Sequence, residues 1–291
     1  MSSCIQHLIC PVCGAGLARV DHTLKCPALH AFDIAREGYV NLLLPSRKKP
    51  KILGDTKDML HARRDFLDRG FYDPLSDAIN QLVYSHLPHS SGRADEPTAT
   101  CVAEIGCGEG YYIGRLRSYL EDRIGLDEFC YYGMDVSKAA IKLAARRQKE
   151  VFFFVGDVNR KILLSSNSIG ILLNIFAPRN AAEFDRVMTR KGLLLVAIPG
   201  PDHLANLRSD LHLLDIEPHK EQRVVEGFAG AFRLTAKHTV EHEMHLNGAE
   251  LCNLIQMTPN YWHLSKETWD HIKTTASVRT RASFIVLEFG R

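Results

Sequence analysis

The chain has 291 residues, 45% of them hydrophobic and 24% charged, which is the balance of a globular protein with material for one or two domains. Its 36 Lys and Arg nearly cancel its 34 Asp and Glu, leaving a net charge of +2, so any contact with nucleic acid must come from a local patch rather than from bulk attraction. No apolar run approaches the ~20 residues that span a bilayer, and MSSCIQHLICPVC lacks the basic and apolar regions of a signal peptide.

The first pattern that carries chemistry is Cys10, Cys13, Cys26 and His30: C-x2-C, a gap of twelve residues, then C-x3-H. Two short-spaced pairs a hairpin apart suit tetrahedral zinc, which favours thiolate and imidazole. Four protein ligands leave no open position, so the expected metal is structural. Residues 8–44 read as two short hairpins around it, with 38–44 a strand leaving the module. So short a segment cannot offset its chain entropy alone, and metal binding supplies the difference. The eight cysteines show metal spacing, a glycine loop and buried-strand positions rather than a disulfide framework, which points to a reducing, cytoplasmic location.

Residues 46–51 (SRKKPK) form a cationic linker, and Arg47, Lys48, Lys49 and Lys51 are candidates for RNA phosphates, with Arg63 and Arg64 beyond them. Met59, Ala62, Phe66 and Leu67 share one side of a helix expected over 55–69. A second helix starts near Asp73-Pro74 and runs to about residue 86. Residues 90–98 are polar and read as a loop. From residue 101 short apolar strands (101–105, 131–134, 151–155, 169–176, 192–198) alternate with helices (109–120, 138–149, 181–188), the signature of a parallel sheet covered on both faces. Late strands near 232–241 and 283–289 complete it.

Glu104-Ile-Gly-Cys-Gly-Glu-Gly110 follows the first of these strands and opens a helix. Gly106, Gly108 and Gly110 allow close approach of a ligand to backbone at a helix N-terminus. Asp135 ends the next strand, where its carboxylate suits the two hydroxyls of a ribose. The acidic opening Glu104, together with Asp157 after the third strand (FVGD), favours S-adenosylmethionine over a nicotinamide nucleotide; Asp157 alone would pass for a turn aspartate. Asn174, Phe176 and Pro178 (NIFAP) end the fourth strand on the ligand-facing edge, where an amide and an aromatic can hold a flat base. His203 follows the fifth strand.

These segments resemble the 23S rRNA (guanine-N1)-methyltransferases of the RlmA family almost end to end. CPVCGAGL, CPALHAFDIAREGYVNLL, GDTKDMLHARRDFLDRGFYDPL, EIGCGEGYY, GMDVSKAAIKLAARR, NIFAPRNAAEFDRV, IPGPDHL and LIQMTPNYWH carry the likeness. It implies a class I S-adenosylmethionine-dependent methyltransferase fold (Rossmann-like, α/β) with an N-terminal zinc-ribbon-like module. The expected division is a zinc-binding RNA-recognition module (1–45), a basic linker with helices (46–98) and the methyltransferase domain (99–291). It also implies zinc on Cys10, Cys13, Cys26 and His30, donor contacts from Tyr72, Gly108, Glu109, Asp135 and His203, and methylation of a guanine in a hairpin loop of 23S rRNA near the peptide exit tunnel. NIFAPRN, PDHLANLRSDLHLL and HKE look closer to the subgroup with tylosin-resistance methyltransferases, whereas GCGEGYY looks closer to the other. Family members vary at the position of Asn174, no residue stands out as proton acceptor, and a homodimer is left open. A small-molecule methyltransferase and a non-catalytic RNA-binding protein are the competing readings; neither needs both the metal module and an intact donor loop.

Overall fold

The computed structural model describes residues 3–45, 55–87, 100–124 and 129–291; Arg47, Lys48, Lys49 and Lys51 lie outside them. After a 3-10 turn at Ser3–His7, three strands of three residues each, β1 (Ala18–Val20), β2 (Thr23–Lys25) and β3 (Ala31–Asp33), form a small antiparallel sheet. The two-residue β4 (Val40–Asn41) then leaves this module and pairs in parallel with β7 (Phe152–Val155) of the main sheet. Helices α1 (Lys57–Leu67) and α2 (Asp73–His86) follow. Thr56 caps α1 by accepting from the Met59 amide, and α2 opens with a proline in its first turn, where a missing N–H costs nothing.

The expected alternation is present: β5 (Thr100–Ile105), α3 (Tyr111–Ile124), β6 (Phe129–Asp135), α4 (Lys138–Arg147), β7, β8 (Ile169–Ile175), α5 (Ala181–Val187) and β9 (Met188–Pro199). Short helices α6 (Ala205–Asp210) and α7 (Lys220–Phe228) lead to β10 (Arg233–Asn247), then α8 (Gly248–Gln256), α9 (Lys266–Thr274) and β11 (Ser277–Gly290). The eight-stranded sheet has the order β10-β11-β9-β8-β5-β6-β7-β4, and β11 runs antiparallel to both its neighbours. The order reverses at β5, between β6 and β8, which opens a crevice at the C-terminal ends of the strands.

Alternate residues of β8 show why the sheet is covered twice. Ile171, Leu173 and Ile175 join a core with Phe66, Leu75, Ile113 and Leu254, while Ile169 and Leu172 join another with Phe184, Val187 and Phe228. Leu8, Leu17 and Leu24 of the metal module belong to this second core. The final hairpin is longer than its apolar pattern suggests. Only Phe284–Phe289 of β11 pair with β9; from Ser277 to Ser283 the strand has β10 alone. Most side chains of β10 are accordingly exposed or half-buried, and a polar strand such as KHTVEHE leaves little hydrophobic signal to read. Among the described residues no helix is long and apolar enough to cross a membrane.

Candidate functional site

The four expected metal ligands converge. Their ligating atoms lie within 4.8 Å of one another: Cys13 Sγ is 3.6 Å from Cys26 Sγ, and His30 Nδ1 is 3.3 Å from Cys26 Sγ and 3.6 Å from Cys10 Sγ. A tetrahedron with Zn–S near 2.3 Å requires neighbouring ligand atoms about 3.8 Å apart, so the set fits zinc. Each pair sits on a tight turn. After Cys10 the Gly14 amide returns to the Cys10 carbonyl at 2.8 Å with φ +76°, and the Val12 amide points at Cys10 Sγ. After Cys26 the chain turns through Leu29, whose amide meets the Cys26 carbonyl at 2.9 Å. The module is fastened to the main domain by backbone: Ile9 donates to Leu163 O at 3.1 Å and Ser165 to His7 O at 2.8 Å.

The glycine loop lies over the crevice. Gly106 and Cys107 both donate to Met134 O, which fastens the loop to β6. A Cβ on Gly106 would fall 2.3 Å from that of Ala177, so the loop and the NIFAP turn touch because this residue has no side chain. Gly108 has φ +54°, and a Cβ there would meet nothing nearer than Arg63 Nη1 at 3.7 Å. Its surface is therefore open to a ligand. Asp135 Oδ2 accepts from the Gly108 amide at 2.9 Å and Oδ1 from the Ser137 amide at 2.8 Å. A carboxylate has about four acceptor positions, so two remain for a ribose. Burial raises the Asp135 pKa, and the Ser137 and Gly108 amides oppose that rise. Open backbone at Gly108 beside a carboxylate with spare acceptor capacity is what the ribose end of S-adenosylmethionine requires.

The other acidic residues serve the frame. Glu104 is fully buried and accepts from the Ile113 amide at 3.0 Å, capping α3 from beneath; burial pushes its pKa well up. Glu109 is also buried and meets Arg147 Nη1 at 3.2 Å, while Arg147 reaches Asp68 at 2.6 Å. Burial raises Glu109 and the guanidinium of Arg147 pulls it down. Asp157 accepts from the backbone and side-chain nitrogens of Asn159 at 3.0 and 3.2 Å, closing its own turn.

Beyond the loop the crevice is walled by rings. Tyr72 is buried, and its hydroxyl lies 3.4 Å from His203 Nε2. His203 Nδ1 accepts from the Ser283 amide at 3.2 Å, which assigns the ring proton to Nε2. Burial, with Arg208 and His242 nearby, lowers the His203 pKa to about 3, so the ring is neutral. Phe284 packs against Tyr72 and His203, each at 4.8 Å between centroids. Phe176 projects from this wall at 42% exposure, with Tyr72, Tyr112 and Phe284 around it. Its φ of +52° is a strained conformation for an aromatic residue, and it turns the strand end outward. Asn174 is fully buried beneath the turn. Its Nδ2 donates to Ile105 O at 3.1 Å and Pro178 O at 3.0 Å, and Oδ1 has no hydrogen-bond partner among the described residues.

Comparison with known proteins gives this assembly its context. Residues 8–51 match the zinc-ribbon family described as RlmA, N-terminal. A putative 23S rRNA (guanine-N(1)-)-methyltransferase of Micromonospora griseorubida is 37% identical over 89% of this chain and 88% of its own length. The 23S rRNA (guanine(748)-N(1))-methyltransferase of Streptomyces fradiae is 36% identical, covering 89% and 87%. A putative 23S rRNA (guanine-N(1)-)-methyltransferase of Bacillus subtilis is 30% identical, covering 92% and 91%. The chain belongs to the 23S rRNA (guanine-N1)-methyltransferase family.

For a member of this family, the residues read from sequence separate by position. Gly108, Asp135, Tyr72, His203 and Phe176 line the crevice, whereas Glu104, Asp157 and Asn174 hold its frame. Arg63, expected to contact phosphates, lies instead beside Gly108, ion-paired to Asp55 and donating to Met257 O at 2.8 Å. Arg64 is more exposed and faces Asp68 at 3.6 Å. Tyr112 and Phe284 escaped the sequence reading. Tyr112 follows the glycine loop closely enough to have been suspected; Phe284 reaches the site only through the antiparallel return of β11, which no local pattern reports.

Proposed function

We propose that this protein transfers a methyl group from S-adenosylmethionine to N1 of a guanine in a hairpin loop of 23S rRNA near the peptide exit tunnel, with altered macrolide susceptibility as the associated phenotype. The observation that carries the reading is Phe176: an aromatic ring held out at φ +52° on the strand edge, next to the turn that touches the donor loop. A guanine whose N1 is tied up in a stack or base pair must be splayed out to react, and an exposed ring at that edge can receive it.

The residues divide the work. Gly108 and Asp135 hold the donor's nucleoside, and Tyr72 and His203 close the crevice beside it. When bound, S-adenosylmethionine supplies a methyl already activated on a sulfonium, so the chain's main task is alignment, worth ~7 kcal/mol or more. Phe176 and Pro178 provide the platform for the base. Asn174 ties β5 to that platform, so its contribution to guanine placement passes through the turn it anchors. Zinc on Cys10, Cys13, Cys26 and His30 shapes the module and takes no part in methyl transfer. That module, the cationic segment containing Arg47, Lys48, Lys49 and Lys51, and exposed Arg64 are assigned to the RNA.

Primer extension tests the reading, because a methyl on N1 blocks the pairing edge. Ribosomal RNA lacking the modification, incubated with protein and donor, should show one new stop within one hairpin loop. The guanine named in the Streptomyces fradiae relative, position 748, is the first to inspect. Donor turnover on a small acceptor with no stop in ribosomal RNA would overturn the proposal.

A further inference from the structure

Three residues beyond Phe176 the chain reaches Arg179, which lines a cavity of about 180 Å³ with Glu217, Lys220, Arg223, Val224 and Phe228. The composition of this cavity is unusual. Three cations surround one carboxylate, and Arg223 already takes that carboxylate, at 2.6 Å from Glu217. The Lys220 amide donates to Glu217 O at 3.2 Å, but among the described residues the side chains of Arg179 and Lys220 make no hydrogen bond or ion pair, and both residues are half-buried. Burial lowers the pKa of each, the Glu217 carboxylate they share opposes that fall, and Arg179 and Arg223 lower Lys220 further by repulsion. Neighbouring cations that lose water without gaining a partner are costly, unless an anion completes them.

Its place in the fold limits what the anion can be. The segment from Phe176 to Arg179 spans at most about 11 Å. Arg179, just before α5, therefore lies within that distance of the platform on which the target base would lie. We infer that the pocket takes one backbone phosphate of the RNA substrate, close to the target nucleotide, and so fixes the register in which the guanine meets Phe176. This inference rests on the RNA methyltransferase reading above. A phosphate contact of this kind positions the strand without reading its sequence.

Hairpin binding by the full chain in a potassium chloride series tests it. The parent is compared with Arg179→Gln/Lys220→Gln and with Glu217→Gln, while calorimetry with S-adenosylmethionine reports that the crevice is intact. The double variant should raise the hairpin Kd by about tenfold or more. It should also reduce the slope of log Kd against log salt by about 1, because one phosphate contact is lost. Glu217→Gln, which removes the cavity's carboxylate, should tighten binding, and Lys220→Arg should keep the parent slope. Should the double variant fail to fold, Glu217→Gln decides alone, and an unchanged Kd and slope there would overturn the inference. A parent that binds and methylates the hairpin beside a double variant of equal affinity and slope would sink the pocket but not the enzyme. A parent that neither binds nor methylates would sink both. Inorganic phosphate that binds the parent but not the double variant, with RNA affinity equal in the two, would mark a site for free anions and overturn the assignment to RNA.

Discussion

In the N-terminal module three strands of three residues each surround four ligand atoms, and its inner wall of Leu8, Leu17 and Leu24 is finished only by the domain it docks on. The donor loop lies at the opposite extreme. It is clamped by Met134 O below, Ala177 beside it and Phe153 near Gly110. On the proposed reading the module obtains its shape from metal and docking, whereas the loop obtains it from packing. The same kind of change should therefore act differently in the two places. Deleting a ligand should dissolve the module, and adding a methyl group should spoil the loop.

Gly106→Val puts the sharpest strain on the second half of that comparison. Its Cβ would lie 2.3 Å from that of Ala177 at φ +84°, and overpacking combined with a disfavoured backbone costs several kcal/mol. Donor affinity by calorimetry should fall more than 100-fold. Gly108→Ala makes an ordinary contact with Arg63 Nη1 at 3.7 Å and bears the backbone cost, about 1–2 kcal/mol, together with a Cβ on the surface that receives the donor, for a loss of roughly 5- to 30-fold. Equal losses at the two positions would show that packing is not what shapes the loop.

Cys26→Ala addresses the first half. Metal content should fall from about one zinc per chain to none. The melting temperature should drop by about 10 °C, as β7 and the segment around Leu163 lose their cover. Donor affinity, measured below the transition, should stay within about threefold. Full metal in this variant would remove the ligand assignment; collapse of donor binding would show that module and loop are not separable. Phe176→Ala has a smaller expected effect. Losing a stacking platform costs roughly 1–3 kcal/mol, so kcat should fall about 5- to 150-fold while hairpin affinity changes little. A parent-like kcat would move the base elsewhere.

The N-terminal module was legible in the sequence because its information is local: four Cys and His residues at fixed spacing, with Gly14 where a turn requires φ +76°. The parallel strands were legible for the same reason, as continuous apolar runs. Asp135 stands out because it ends such a run at a fixed distance from the glycines, and its carboxylate does meet the Gly108 amide. What the sequence withheld depends on contacts between distant segments. Arg63 has the spacing of an exposed helical cation, yet the α8 turn at Met257 draws it inward to the donor loop. Asn174 has the look of a base contact, yet both its N–H groups are taken by carbonyls on two different segments. The Phe284 ring joins the site because β11 returns beside β9. None of these follows from composition or periodicity.

His203 offers the finest test, since it asks whether the crevice is dry and preformed without donor or RNA. Its pKa is lowered to about 3 from an ordinary 6.5, chiefly by burial. Between those values the unfolded chain carries a proton on this ring that the folded chain does not. The associated stability is whole above pH 6.5 and is lost as pH falls toward 3. The buried carboxyls Glu104, Glu109 and Asp135 act in the other direction, because their raised pKa values favour the protonated folded state. The parent slope therefore mixes both, and only a difference isolates the histidine. His203→Asn removes the titration while its amide oxygen can still accept from the Ser283 amide. Urea unfolding at pH 7 and pH 5 should show the parent losing roughly 1–2 kcal/mol more than the variant on acidification. Parallel losses would mean that water reaches the ring in the folded protein, and that the donor crevice, unlike the loop above it, takes its final shape only when occupied.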